Sequence, residues 1–455
     1  MATIHYARLD EYWRKEEKYA FLEEHGHVGA VAWQTITPDK RHTWLTEGMQ
    51  DEFETFLPIG TQETKSGEAA NSIFTNYSRG AETTRDAWVY NFSPKNLEMQ
   101  INRFINTYNL EVERWQRRAD TKIHLDDFVS YDDSQIKWSS RLKECLLSGQ
   151  KAKFSSEKIR STLYRPFMHQ VLFFDNVLNH RQGQWPNIFP VTQSENCVIC
   201  LTDKGSEKPF MSLISNQIVD LHLVGAGAST QCFPFYTYAE DGSNRRENIT
   251  DWALAQFRAR YPQGNSALPT PHSALEKWDI FHYVYAILHH PDYRAKYAAN
   301  LRRELPRIPF VEDFWGFAQA GARLAELHVH YEQQPEYRLD FIENADKPLN
   351  WRVERMKLNK DKTSLVYNDF LTLAGIPPQV YDYKLGNRSA LEWVIDQYQV
   401  STDKRSGIVN DPNNPADPQA IVRLIGQVVT VSVETVRLVQ QLPPLAILKQ
   451  DCYTY

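Results

Sequence analysis

Five polar loops carry the side chains that chemistry would choose for reading a nucleic-acid edge. They are NYSRGAETTRD, with Arg79, Gly80, Thr83, Thr84, Arg85 and Asp86; LNHRQGQ, with Asn179, His180, Arg181, Gln182 and Gln184; GSNRREN, with Arg245 and Arg246; KLGNRSA, with Lys384, Asn387 and Arg388; and STDKRSG, with Lys404 and Arg405. Arg, Asn and Gln can make paired hydrogen bonds to guanine and adenine edges, while Lys, Ser and Thr position on phosphate. Each loop taken singly also reads as an ordinary solvated turn. Together, punctuating one chain, they fit a recognition surface.

Other constellations are incomplete. DLHLVGAGAST reads as a strand followed by Gly225 and Gly227, which invites a phosphate-loop reading. Such a loop needs a helix behind it, so that the helix N-terminus faces the ligand. Here the extended QCFPFYTY follows, so a turn between strands is expected. Cys197 and Cys200 form one isolated C-x-x-C among Val198, Ile199 and Leu201, which reads as core cysteines rather than half of a zinc site. His289-His290 and His328/His330 lack the i, i+4 pairing with an acid that a helical metal site requires, and are expected to cap or flank helices. The Pro-Asp of TPDK, residues 37–40, is not followed by an acid-x-Lys on a strand. There is no Gly-Lys-Thr phosphate loop, no Asn-Pro-Pro-aromatic tetrapeptide and no G-x-S-x-G. No metal and no cofactor is expected in this chain.

These loops need elements to hold them. Residues 8–25 have a helical pattern, and 33–44 read as an irregular connection. Trp88, Tyr90 and Phe92 alternate as on a half-buried strand, so NYSRGAETTRDAWVYNFS is either a hairpin entry or a presented loop. Ser93-Pro94 then reads as an N-cap with Pro at the first helical position. Leu97, Ile101, Phe104, Ile105, Tyr108 and Val112 continue that helix at spacings of three or four. From about 160 to 240, short apolar runs such as QVLFFD, CVICLT and FMSLIS alternate with turn residues, which predicts a β-rich core. Residues 248–262 and 275–345 return to helical periods. TSLVYND, FLTLAGI and a closing helix over 418–441 predict a final α/β stretch. Linkers are expected at 261–273 and 410–418.

Composition narrows the setting. A chain of 455 residues has length for several cores. Its net charge of −6 gives no global pull towards nucleic acid, so DNA binding would rest on local basic clusters. No apolar run approaches the roughly 20 residues of a membrane span. The charged N-terminus has no signal-peptide core. Five scattered cysteines (145, 197, 200, 232 and 452) make no disulfide framework. A soluble, intracellular chain in the cytoplasm is expected.

Longer stretches carry a resemblance. IFTNYSRGAETTRDAWVYNFS, RSTLYRPF, STQCFPFYTYAEDGSNRRENITDWAL, WDIFHYVYAILHHPDYRAKYAANLRRELPRIPF and YKLGNRSALEWVIDQYQV resemble the C-terminal target-recognition region of single-polypeptide type I (type ISP) restriction–modification enzymes. Those enzymes join a nuclease, a helicase-like translocase, an adenine N6-methyltransferase and a target-recognition domain. The upstream motifs are not in this sequence, and its N-terminus resembles the segment that follows the methyltransferase core. The resemblance implies a specificity portion, as a fragment or a separately encoded remnant, that binds double-stranded DNA beside methyltransferase and helicase domains. S-adenosylmethionine, ATP and magnesium would belong to those upstream domains. It also implies that the loop from Arg79 to Asp86 lies close to DNA.

The expected fold is α+β, with a β-rich DNA target-recognition core, a helical subdomain and a closing α/β segment. Boundaries are expected at 1–72, 73–262, 274–350 and 351–455. Two rivals remain: an intact DNA methyltransferase or nuclease with a divergent site, and a scaffold whose region 275–345 docks a partner enzyme. Replacing Arg85 by Ala is expected to weaken DNA binding without unfolding the protein.

Overall fold

A computed structural model describes residues 3–9, 13–38, 42–66, 71–262 and 274–449. The expected linker at 261–273 lies almost wholly outside the described residues, as do Asp39 and Lys40 of TPDK and Cys452. The architecture is mixed α+β, as the runs implied.

Two four-stranded sheets form the β-rich part. One has the order Ile218–Val219, Ile159–Arg165, Met168–Phe173, Tyr90–Asn91; its middle strands make an antiparallel hairpin. The other has the order Ser78–Arg79, Thr230–Pro234, Val198–Thr202, Ser212–Ser215. Every residue of its last three strands is buried, which is why CVICLT reads as a continuous apolar run instead of an alternation. Cys200 and Cys232 face each other across that sheet, as core residues.

The helix Pro94–Gln116 starts where expected, with the Ser93 hydroxyl accepting from the Asn96 amide. Its apolar stripe is fully covered, and Phe104 meets Trp88 edge-on at 5.1 Å. Helices Lys277–Ile287 and Phe314–Val329 pack so closely that a Cβ on Gly321 would sit 1.9 Å from the His282 carbonyl oxygen. Only glycine permits that approach. Towards the C-terminus, a sheet of Asp340–Glu343, Leu371–Ala374, Ser364–Val366 and Lys357–Leu358 precedes helices Ala390–Gln397 and Ala420–Gln440. Ser389 and Glu392 close a capping box on the first of these helices. One hydrophobic cluster runs through most of these elements, the exposed strand Asp340–Glu343 apart.

Several local expectations fail. Trp88–Phe92 is not a strand: Asp86–Val89 is a helical turn and only Tyr90–Asn91 is extended. The alternation was read correctly as burial but not as conformation, because Trp88 faces the helix behind it. After the bridge residue Asp220, Leu221–Val224 is a succession of turns, not a strand before the glycines. Gln34–Ile36, inside the expected irregular connection, pairs with Ile4–Tyr6. Asp340–Glu343 interrupts the expected helical region with an edge strand. His289 and His328 are interior residues: the Tyr285 hydroxyl lies 2.6 Å from His328 Nδ1, and Thr435 Oγ1 lies 2.8 Å from its Nε2. His290 does cap, accepting from the Asp292 amide.

Candidate nucleic-acid interface

The loop from Ser78 to Asp86 is threaded through the interior more than it is displayed. Ser78–Arg79 pairs with Gln231–Cys232 of the second sheet. Ala81 then bridges Asp220, just beyond the first sheet, and Glu82 bridges Arg181. The loop thus stitches the two sheets together. Gly80 sits at the tightest point, where a Cβ would lie 2.5 Å from the Asp220 carbonyl oxygen. Thr83 is buried and its hydroxyl bonds to the Asp86 carboxylate. Only Thr84, at φ 60°, is exposed.

Arg85 is the clearest correction. It is 0% exposed, an interior side chain and not a displayed one. Its Nε donates to the Lys137 carbonyl at 3.1 Å, Nη1 to the Leu178 carbonyl, and Nη2 to Ser139 Oγ at 2.6 Å. Burial without a carboxylate beside it pulls the guanidinium down to about 10. Three of the fork's donors tie the loop of Arg85 to the 137–139 segment and to Leu178.

Asn179 is corrected in the same way. It is buried, accepts from the Asp175 amide at 2.8 Å and donates to the Phe173 carbonyl at 3.2 Å. Arg181 is exposed and Gln182 half-buried. Their loop is fixed to the previous one by the bridge to Glu82 and by Trp185, whose indole N–H donates to the Arg79 carbonyl at 2.9 Å.

The remaining loops stay outside. Arg245 and Arg246 are exposed on a hairpin formed by Tyr236–Thr237 and Arg246–Glu247, with Arg245 above the Tyr236 ring at 4.7 Å. That hairpin touches the 185–191 turn through the Tyr238 amide and the Asn187 carbonyl. Lys384 and Asn387 are exposed on the hairpin Lys384–Leu385/Arg388–Ser389, beside the 222–225 turns. Arg388 is held at 2.5 Å by Asp396. Lys404 and Arg405 are exposed at the tip joining Ser401–Thr402 to Val409–Asn410, with Arg405 3.6 Å from Asp133. The structure therefore links the loops at 79–84 and 181–184 by direct contact, sets the hairpin that carries 245–246 against the adjoining 185–191 turn, and seats 401–410 against 86–92 through the Phe92 amide and Asn410 Oδ1.

Two polar cavities open among these loops. The larger, about 620 Å³, is walled by Arg79, Tyr77, Gln231, Lys204, Arg307 and Glu304. Arg79 Nε and Gln231 Oε1 are buried there without partners. Burial, with Asp203 and Glu63 nearby, pushes the Tyr77 hydroxyl up to about 12. The smaller cavity, about 280 Å³, lies between Asp86, Tyr90 and Tyr164 on one side and the 401–410 hairpin on the other. Behind it the Arg165 guanidinium meets Asp220 at 2.8 Å, and Tyr90 donates to the same carboxylate. Burial raises Asp220 to about 6, with Arg165 opposing. Gln231 and Gln170, which line these cavities, give no signal in the sequence: both lie in apolar runs on buried strands. Among the described residues no group of three or more His, Cys, Asp or Glu side chains could hold a metal ion. Nor is any helix among them long and apolar enough to cross a membrane.

Residues 72–424 match the family described as the Type ISP C-terminal specificity domain. The chain belongs to that family. Three solved structures share this specificity-domain fold at TM-score 0.84 over 98% of the chain. A nuclease-deletion mutant of the Type ISP restriction-modification enzyme LlaGI, in complex with a DNA substrate mimic, is 31% identical. The ATP-dependent Type ISP restriction-modification enzyme LlaBIII bound to DNA is 28% identical, and DrdV, solved as a DNA complex, 32%. The chain spans 40%, 28% and 44% of those three chains respectively. No curated protein matches the sequence. The resemblance read from the long motifs is borne out, and with it the mixed α+β fold of a specificity domain.

Proposed function

We propose that this chain reads a short double-stranded DNA sequence for a restriction–modification enzyme. One observation carries the reading: nearly the whole chain matches part of three proteins solved with DNA or a DNA substrate mimic. The exposed Arg181, Arg245, Arg246, Lys384, Asn387, Lys404 and Arg405 supply the phosphate and base-edge contacts, with Gln182, Arg388, Thr84 and the cleft residue Arg79 behind them. Thr83, Arg85 and Asn179 hold the loops in place. Each good bidentate base contact contributes roughly 1–3 kcal/mol of discrimination.

In this reading the partners are DNA and the methyltransferase and helicase domains of a parent enzyme in the cytoplasm. S-adenosylmethionine, ATP and magnesium serve those domains. The test is selection from a randomised duplex library, followed by titration of the enriched sequence at about 50 and 200 mM salt, a range over which several phosphate contacts lose orders of magnitude in affinity. One enriched motif and a steep salt slope are expected. No binding at the lower salt, or binding with no enriched motif, would overturn the proposal.

A further inference from the structure

Arg79 is a cation that the fold leaves unanswered. Its strand, Ser78–Arg79, pairs with Gln231–Cys232, and the register sets Arg79 directly opposite Gln231. Cys232 turns into the core, so Arg79 and Gln231 share the other face of the sheet, towards the larger cavity. The Arg79 carbonyl is taken by the Trp185 indole at 2.9 Å, and the residue is half-buried. Its Nε is shut away, but neither Nη is, and neither has a hydrogen-bond or ion-pair partner among the described residues. The open end of the guanidinium is what meets the cavity. The other charges on the wall fall into two groups. Asp203 is engaged at both oxygens, by the Lys204 amide at 2.8 Å and the Ser229 hydroxyl at 3.1 Å. Glu304 accepts from Arg307 Nε at 3.5 Å. The Lys204 ammonium is exposed and has no ion-pair partner among the described residues. The acids are satisfied and two cations are not. A guanidinium half out of water gains most from an anion whose oxygens match its fork.

We infer that this cavity clamps one backbone phosphate of the bound DNA, between the Arg79 guanidinium and the Lys204 ammonium. This rests on the DNA reading proposed above. Phosphate oxygens point in several directions, so one group can take a paired contact from Arg79 and a point charge from Lys204. A protein carboxylate presents two oxygens in one plane, which the guanidinium alone would fill. The cavity, about 620 Å³, has room for the sugars on either side of a phosphate. Its wall is also continuous with the exposed loops. Ser78 Oγ accepts from the Gln184 amide at 3.0 Å, and Glu82 bridges Arg181, so the segment that carries Arg79 is stitched to the loop that carries Arg181 and Gln182. A phosphate seated in a walled cleft fixes the register in which those loops meet base edges.

The experiment replaces each phosphate of the enriched duplex in turn by an uncharged methylphosphonate and measures affinity by fluorescence anisotropy at one fixed salt concentration. The wild-type chain is expected to lose about tenfold at one position, against about two- to threefold elsewhere. Arg79→Met is expected to bind the unmodified duplex about tenfold more weakly, and the methylphosphonate at that position then costs it nothing more, because the two changes remove one contact. Lys204→Met, in an exposed turn, is expected to lose about threefold and to shrink the same positional effect, which keeps the test if Arg79→Met does not fold. A weaker variant whose positional loss stays as large as in the wild type marks Arg79 as structural and overturns the clamp. Equal, shallow losses at every position in the wild type overturn it too, and leave the DNA reading standing. So does full DNA affinity in both variants, which would leave the cavity to a carboxylate of a partner protein. No binding of the unmodified duplex by the wild type overturns both.

Discussion

Arg85 and the Arg245–Arg246 pair come from loops of similar composition and end in opposite settings. Arg85 follows Gly80 and two threonines, and its fork closes on carbonyls and a hydroxyl from 137, 178 and 139, with no exposed surface. Arg245 and Arg246 follow Gly242 and Asn244 and lie open on a two-residue-per-strand hairpin. The difference is in what surrounds each loop. The 78–86 segment has neighbours on every side: one sheet at Gln231, the turn at Asp220 and the loop at Arg181. The 236–247 hairpin touches the body through Tyr236, Tyr238 and Glu247, and leaves the Arg245 and Arg246 side chains exposed. A charged residue in a loop is thus a surface group only where the backbone around it has solvent to face.

The comparison breaks first at Arg85. Arg85→Ala leaves three acceptors without their donor and opens a cavity beside Phe104, which is expected to cost about 3 kcal/mol of folding stability. Arg85→Lys recovers less than half of this, because an ammonium cannot span the three acceptors. Denaturant unfolding measures both. An unfolding midpoint equal to wild type for Arg85→Ala would mean that the interior fork does no structural work. The expected loss of stability reverses the expectation drawn from the sequence, in which the same substitution weakens DNA binding and leaves the fold alone.

That reversal marks where the sequence stops being legible. Periodicity located the helix from Pro94, its Ser93 cap and the β-rich stretch, because burial of an amphipathic face is written in residue spacing. The long motifs identified the family. What spacing does not carry is non-local pairing. Arg85 is tied to residues 52 to 93 positions away, and Gly80 is fixed by Asp220. Trp88 and Tyr90 alternate in burial, yet one is helical and the other extended. Gln170 reads as one polar residue in an apolar strand, and only the hairpin 401–410 beside it puts it next to a cavity. The exposure of Arg245 and Arg405 was legible, because polar loops with nothing folded over them face solvent.

Interior basic groups also differ from exposed ones in their response to pH. His328 is buried against Tyr285 and Thr435, and burial holds it down at about 3 from an ordinary 6.5. Its folded-state value is depressed, so below pH 6.5 the unfolded chain takes up a proton that the folded chain refuses. Stability is then lost as pH falls, by about 1.4 kcal/mol per pH unit for this one group. The unfolding free energy of the wild type is expected to drop more steeply between pH 6.5 and 5.5 than that of His328→Gln, by about 1 kcal/mol, the full slope being reached only below that range. Parallel profiles for the two proteins would mean that His328 takes its proton inside the fold, and that interior and exposed basic groups titrate alike.

The smallest change in stability belongs to the other half of the comparison. Arg245→Ala with Arg246→Ala removes two exposed side chains, one resting on Tyr236 and one held by Asn244 at 3.2 Å. Folding stability is expected to move by no more than about 0.5 kcal/mol, the usual range for open surface sites. DNA affinity is where the pair should register. If both contact phosphate, binding weakens alike for all sequences and the salt slope falls by about two. If one reads a base edge, the loss concentrates on a single position of the enriched motif, by roughly 1–3 kcal/mol. Titrating the double variant against the enriched duplex and its single-position variants separates these. Unchanged affinity with unchanged slope would take the hairpin out of the interface, and exposure would then be no better a guide to DNA contact than residue type was for Arg85.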